Sequence, residues 1–104
     1  MVNAKYFAID PNGRKFNLII EIDEPKLISE NRYCCPMFMS YFIPEKRETG
    51  RGLNSLGAIC SCITLAIDLL QLFQDKGGRI FFADNEEHEC LHIEELFSGL
   101  YVKK

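Results

Sequence analysis

The pattern of hydrophobic and polar positions is most regular between Asn54 and Asp75, where it predicts one long helix with Asn54 or Ser55 as its N-cap. The polar positions of this segment recur at spacings of four and three residues, and at about 100° per residue they fall within an arc of roughly 80°. They are Gly57, Ser61, Thr64, Asp68, Gln71 and Asp75. Because almost every other position is apolar, we expect two sides of the helix to be covered.

The apolar positions form two arcs around the helix. The first arc has the larger residues and is predicted to pack on a sheet; it consists of Leu56, Ile59, Cys60, Ile63, Ala66, Ile67, Leu70 and Phe73. The second arc consists of Ala58, Cys62, Leu65, Leu69 and Leu72. It is left either for the C-terminal segment of the same chain, for a homodimer, or for another protein. Short domains bury the apolar surface they can, which favours the intrachain contact.

Alternation of apolar and polar residues predicts strands on both sides of this helix. Lys5–Ile9 and Lys15–Asp23 form a predicted hairpin around a turn that contains Pro11, Asn12 and Gly13. The buried face of the second strand is predicted to comprise Phe16, Leu18, Ile20 and Ile22.

The third and fourth strands are predicted at Tyr33–Ile43 and Arg79–Ala83. Pro36 indicates an edge, a bulge or a late start in the third strand. The outward face of that strand, with Met39 and Tyr41, is a second candidate contact surface.

The remaining segments are predicted to connect these elements. Lys26–Arg32 is a polar connection, and Pro44–Gly52 is a charged loop that we expect to be exposed and mobile. After an acidic loop, Ile93–Tyr101 is predicted as a short helix, with a strand over Glu89–Glu94 as the alternative. The expected fold is therefore a single α+β domain over residues 1–104, an antiparallel sheet in the order β-β-β-α-β packed on one long helix, with a short C-terminal helix.

Composition narrows the classes of function. A chain of 104 residues with 47% hydrophobic and 26% charged residues is long enough for one folded domain. The formal net charge of −3 disfavours nucleic-acid binding. The odd count of 5 cysteines suits a reducing cytoplasm, and the N-terminus lacks the pattern of a secretory signal. Since Asp68 and Gln71 interrupt the long apolar segment, we interpret it as a core helix and expect no membrane association.

Candidate chemistry is sparse. His88, Cys90 and His92 would share one face if their segment were extended, which suggests a metal site or a reactive thiol. A structural zinc site needs a fourth ligand, and no orienting group stands nearby in the sequence, so we expect a polar segment with one buried cysteine and no cofactor.

Acidic residues dominate the same part of the chain. No Lys or Arg occurs between Ile80 and Val102. The carboxylates are Asp84, Glu86, Glu87, Glu89, Glu94 and Glu95, which we call the acidic region. Such a run is either a solvated face or a docking surface for a basic protein, whose association it would steer.

One segment resembles a known group of proteins. Gly52-Leu53-Asn54-Ser55-Leu56-Gly57-Ala58, followed by Gly77-Gly78-Arg79, resembles the G-x-(D/N)-S-x-Q-A helix start in a group of small uncharacterised bacterial α+β proteins. This chain has Gly57 where that group usually has Gln. The resemblance covers roughly residues 32–82 and implies the same fold class.

The overall profile is also similar to the immunity proteins of contact-dependent growth inhibition. Those proteins bind a cognate toxin, often a basic nuclease, and cover its active site. The resemblance implies a non-enzymatic, cytoplasmic binding protein, with the acidic region against a cationic toxin. The alternatives are a small metal-binding protein or enzyme centred on Cys90, His88 and His92, and a structural homodimer formed through the second arc of the helix.

Overall fold

The computed structural model describes residues 2–82, 88–93, 95 and 96. These residues form seven strands and one α-helix, so the protein is α+β with an antiparallel sheet and one long helix, as predicted. The elements are β1 (Val2–Ile9), β2 (Lys15–Ile22), β3 (Lys26–Ser29), β4 (Arg32–Met39), β5 (Ile43–Gly52), α1 (Ser55–Asp75), β6 (Arg79–Phe81) and β7 (Glu89–Cys90).

The strands form one sheet in which β4 has neighbours along both edges. Tyr33 pairs with Leu27 of β3 on one side and with Gly52 of β5 on the other, while Met37 pairs with β2 and with β5. Because a strand has only two edges, β2 and β3 must follow one another along the same edge of β4. The sheet therefore runs from β5 through β4, then β2 with β3 as its continuation, to β1, β6 and β7.

The order of elements differs from the predicted one because two predicted connections are strands and because β7 lies where a strand over Glu89–Glu94 was only the alternative prediction. The segment predicted as a polar connection contains β3, and the predicted charged loop Pro44–Gly52 lies within β5. Within the described residues β5 pairs only with β4, so its charged side chains reach water. Charged residues are typical of an outer strand because they discourage pairing with another chain, and they conceal the alternation expected of a strand.

The N-terminal hairpin is confirmed. The Asp10 carboxylate accepts hydrogen bonds from the backbone N–H groups of Asn12 and Arg14, each at 2.9 Å, and Gly13 takes a φ of +88° in the turn. The predicted inward face of β2 is also confirmed, since its three aliphatic members are buried and Phe16 is half-buried. The buried members are Leu18, Ile20 and Ile22.

The predicted third strand is shorter than expected. β4 ends at Met39, and the chain then turns through Ser40–Phe42, where Tyr41 has a φ of 79°. The pairing with β5 shifts between Cys35 and Pro36, so the proline occupies a bulge. Met39 is fully buried and belongs to the core, which leaves only Tyr41, 53% exposed, from the predicted contact surface of this strand.

α1 begins and ends close to the predicted positions, but its buried side is rotated from the first arc toward the second. The Asn54 side chain accepts a hydrogen bond from the N–H of Gly57 at 2.8 Å and caps the helix. The buried line consists of Ala58, Cys62, Ala66, Leu70 and Phe73. Ala66, Leu70 and Phe73 belong to the first arc, whereas Leu56 of that arc is 68% exposed and Cys60 is also exposed, so the assignment of the first arc as the sheet-facing side was correct only in part.

The reason for this rotation is a close approach of β5 to the helix. A methyl group built on Gly50 would lie 2.6 Å from the Cys62 sulfur, and one built on Gly52 would lie 2.6 Å from the Gly57 carbonyl carbon. Small residues on both elements bring the backbones together, so Ala58 and Cys62 of the second arc face the sheet. Side-chain size alone therefore placed the sheet-facing side of the helix only in part.

The rest of the second arc is not covered as predicted. Leu65 and Leu69 are half-buried and Leu72 is 51% exposed, beside the turn that follows β4. The predicted short helix Ile93–Tyr101 lies largely outside the described residues.

Ile93 and Leu96, the described apolar members of that predicted helix, belong to or pack against the core on the other flank of α1. The Tyr6 hydroxyl donates to the Leu96 carbonyl at 3.1 Å, and Gln74 donates to the Cys90 carbonyl at 2.9 Å. Gln74 lies about 160° around the helix from Leu72. The described part of the C-terminal segment therefore does not cover the second arc.

Candidate protein-binding surfaces

Only part of the acidic region lies in the described residues. The described residues do not include Asp84, Glu86, Glu87 and Glu94 of this region. They include Glu89 and Glu95. Their environments differ, because Glu89 is half-buried and Glu95 is exposed.

The Glu89 carboxylate is already engaged by an arginine. Arg79 of the neighbouring strand donates to it through Nη2 at 2.9 Å and through Nε at 3.2 Å, and the Arg79 guanidinium also lies 5.2 Å from the centre of the Phe81 ring. This bidentate pair holds β7 against β6. A partner that contacts Glu89 would have to compete with Arg79, whereas Glu95 is accessible.

The three side chains that the sequence suggested as metal ligands, those of His88, Cys90 and His92, do not face a common site. Cys90 is fully buried and its thiol donates to the His92 carbonyl at 3.0 Å, whereas His88 and His92 are exposed. The strand that was expected to align them is only two residues long. Among the described residues, no group of three His, Cys, Asp or Glu side chains is placed to hold a metal ion.

The buried thiols of Cys35 and Cys62 are poorly suited to nucleophilic chemistry. The Cys62 thiol donates to the Cys35 carbonyl at 3.3 Å, and burial together with the Cys35 thiol raises the pKa of Cys62 to about 12. Burial likewise raises the pKa of Cys35. Because the thiolate is the reactive form, both side chains act as small core residues.

Large aliphatic side chains are exposed at the end of the sheet where α1 begins. Leu27 and Ile28 of β3 are 61% and 48% exposed, Leu53 before the helix is 77% exposed, and Leu56 in its first turn is 68% exposed. We call these four residues the apolar end. Core formation explains none of them, because each directs much of its surface into water.

A groove of about 290 Å³ is lined in part by two members of the apolar end, Ile28 and Leu53. Its lining comes from three strands and the loop before α1: Ile28, Arg32, Tyr33, Arg51, Gly52 and Leu53. Arg32 and Arg51 are exposed, and neither forms an ion pair within the part of the chain that the structure describes. We call this feature the arginine groove.

Sequence reasoning missed the arginine groove because its residues meet only through strand register. Leu27, Tyr33 and Gly52 form one row across β3, β4 and β5, and the groove is built around that row. Two of the three strands lie in segments that were expected to be loops. The only signal in the sequence was the short apolar pair Leu27-Ile28 in an otherwise polar connection.

A second cleft, of about 210 Å³, lies at the opposite end of α1. Its apolar lining includes Tyr41, Leu69, Leu72 and Phe73, with Lys76 at its edge. The Tyr41 ring stacks on Phe16 with 4.6 Å between ring centres. The Tyr41 ring also packs edge-on against Phe42 and Phe73, so contacts within the chain account for part of the surface of these rings.

α1 is long and apolar enough to cross a membrane by length and composition alone. A core helix of a folded domain has the same properties, and here the buried line of α1 packs on the sheet. Comparisons of the chain with protein-family models, with curated proteins and with solved structures find no match.

Proposed function

We propose that this protein is a non-enzymatic binding protein whose partner docks on the apolar end. The observation that carries the proposal is the exposure of Leu27, Ile28, Leu53 and Leu56 at one end of a packed domain. Full burial of one such side chain contributes about 1.5–3 kcal/mol, so a partner that covers this surface would gain substantial free energy. Exposed aliphatic groups of this extent are typical of protein interaction sites.

The lack of an assembled reaction centre among the described residues supports the non-enzymatic class. The His88, Cys90 and His92 side chains form no metal-binding group there, and the pKa values of the Cys35 and Cys62 thiols are raised, which favours their protonated form. An active site usually combines a cleft with convergent polar groups of perturbed pKa. The described residues offer no such combination.

The particular kind of binding protein that we propose is an immunity protein for a bacterial toxin. The stretch from Ile80 to Val102 carries no Lys or Arg, so the acidic region favours a basic partner surface and would speed association with it. In this proposal the apolar end supplies affinity and the acidic region supplies steering.

The test is neutralisation of a toxin encoded beside this protein. The C-terminal domain of the protein encoded immediately upstream is co-expressed with wild type, with Leu53→Ser/Leu56→Ser, or with the control Leu72→Ser, which alters an exposed leucine outside the apolar end. We expect wild type and the control to restore growth and to co-purify with the toxin domain. Failure of the wild type to do either would remove the immunity assignment.

The steering role has a separate readout. Reversal of Glu86, Glu87 and Glu89 to Lys should slow association with that domain by about tenfold at low salt and change dissociation little. Since Glu89 pairs with Arg79, a variant that reverses only Glu86 and Glu87 separates lost steering from a disturbed β7. An unchanged association rate would refute the steering role of the acidic region and would leave the proposed role of the apolar end unaffected.

A further inference from the structure

The geometry points to a binding site for an acidic, apolar peptide segment of a partner protein in the arginine groove. This inference rests on the proposed binding function and names the chemistry of the segment that the apolar end would take. One or two carboxylates of the segment would pair with Arg32 and Arg51, and a neighbouring aliphatic or aromatic side chain would lie against Ile28 and Leu53.

Charge is the first support for an acidic occupant. Arg32 and Arg51 both line the groove and are exposed, and neither has an ion-pair partner within the described residues. A guanidinium presents a fork of N–H donors that matches a carboxylate in a bidentate arrangement. The two arginines come from different strands, β4 and β5, and so hold their positive charges on a rigid part of the sheet.

Size and surroundings favour a peptide over a free small molecule. The groove volume of about 290 Å³ is just below the range of roughly 300–1,000 Å³ that is usual for small-molecule pockets. Ile28 and Leu53 give the lining an apolar part beside the two arginines. A chain segment can place charged and apolar side chains on both features at once, which a single anion cannot.

The same features disfavour a nucleic acid. Single strands bind through aromatic side chains on which several bases stack, and Tyr33 is the one aromatic residue among the described lining of the groove. The net charge of −3 also opposes a long polyanion, whereas a short acidic segment meets mainly the local field of the arginines.

The experiment selects ligands without assuming a partner. Random peptides of about twelve residues displayed on phage are panned against the intact protein, and the selected peptides are labelled and titrated by fluorescence anisotropy. We expect selected sequences rich in Asp or Glu next to Leu, Ile or Phe. Their affinity for Arg32→Glu/Arg51→Glu should fall at least about tenfold, which is the scale of a lost charge-assisted hydrogen bond.

Matched variants distinguish a lost site from a lost fold. Arg14→Glu/Arg47→Glu changes the net charge by the same amount at exposed arginines outside the groove, and its affinity should stay within about twofold of wild type. Arg32→Gln/Arg51→Gln removes the positive charges without introducing negative ones and should weaken binding less than the reversal. Circular dichroism of each variant checks the fold.

Each alternative outcome has a defined meaning. Neutral or basic peptides whose binding survives Arg32→Glu/Arg51→Glu but fails with Ile28→Ser/Leu53→Ser would overturn the acidic assignment and leave the proposed binding function standing. If the affinity of the selected peptides is unchanged in both variants, or if no peptide is selected, the result would count against both the acidic occupant and the proposed binding function. Tighter binding of a labelled thymidine oligonucleotide, or a homodimer that Arg32→Glu/Arg51→Glu dissociates, would assign the groove to another occupant.

Discussion

The junction between β5 and α1 joins a close backbone contact between sheet and helix to the two most exposed large apolar side chains among the described residues. A methyl group on Gly52 would come within 2.6 Å of the Gly57 carbonyl carbon, whereas Leu53 and Leu56, only a few residues away, are 77% and 68% exposed. The exposure of these leucines therefore does not come from loose packing. We infer that the close backbone contact fixes the two leucines in a solvent-exposed position, as expected of a preorganised binding surface.

The largest predicted effect comes from filling the tight contact. Gly52→Ala should lower the free energy of unfolding by about 3 kcal/mol, because its new methyl group would meet the backbone of Gly57 and Ala58, which cannot move aside as a side chain would. Urea denaturation followed by circular dichroism measures the loss. A change below about 1 kcal/mol would show that α1 can lift away from β5.

Gly57 provides the matched control for that variant. A methyl group on Gly57 would lie 3.4 Å from the Asn54 side-chain oxygen and 3.5 Å from the Gly52 Cα, which are ordinary contacts. Gly57→Ala should therefore raise the free energy of unfolding by up to about 1 kcal/mol through higher helix propensity. The same added atom thus has opposite effects on the two sides of one contact.

A second test uses the buried thiol beneath this contact. The pKa of Cys62 is raised from its ordinary value of 9.0 to about 12. Between pH 9 and pH 12 the thiol is therefore neutral in the folded protein and ionised in the unfolded chain. Its contribution to stability is fully present below pH 9 and is lost as the pH rises toward 12, by up to about 1.4 kcal/mol per pH unit.

The comparison with Cys62→Ala isolates this contribution from other groups that titrate at high pH. The variant should be less stable than wild type at pH 7, since it leaves space beside Gly50, and the difference should shrink between pH 9 and 12. Parallel stability curves for the two proteins over that range would mean that Cys62 is not shielded from water.

A smaller effect is predicted at the cap that links the two regions. Asn54→Ala removes the acceptor of the Gly57 N–H and should lower the free energy of unfolding by about 1 kcal/mol. Asn54→Asp keeps the acceptor and should retain most of the stability. Thermal unfolding of the two variants provides the measurement, and equal losses would show that the side-chain bond does not stabilise the start of α1.

The same junction shows how far the sequence predicts this structure. The N-cap, the ends of α1 and the hairpin of β1 with β2 follow from local signals: capping residues, periodicity and turn residues. The buried face of α1 follows only in part, because its position depends on Gly50 and Gly52 in a strand whose charged residues resemble a loop. An outer strand shows weak alternation, so a pattern of hydrophobic residues cannot place its glycines against a helix.

The candidate site was less predictable than the fold for a related reason. A surface made of Ile28, Arg32, Arg51 and Leu53 exists only after three strands align, and no short motif contains all of its residues. The acidic region, by contrast, is visible as a run in the sequence, yet its Glu89 is paired with Arg79 once the strands form. The sequence therefore reveals a cluster of charges, but it does not reveal the neighbouring side chains that pair with those charges in the fold.

The smallest predicted effect on stability distinguishes true exposure of the apolar end from hidden burial. Leu53→Ser and Leu56→Ser should each change the free energy of unfolding of the isolated protein by less than about 0.5 kcal/mol, as expected for exposed positions, while Leu70→Ala in the buried line should cost about 2–5 kcal/mol. Urea denaturation at several protein concentrations measures both the size of the effect and its origin.

If a homodimer covers the apolar end in solution, wild type will become more stable with increasing concentration and the serine variants will not. If losses above about 1 kcal/mol appear at every concentration, the leucines are buried within a single chain, and the contrast between the tight contact and the exposed end would no longer hold.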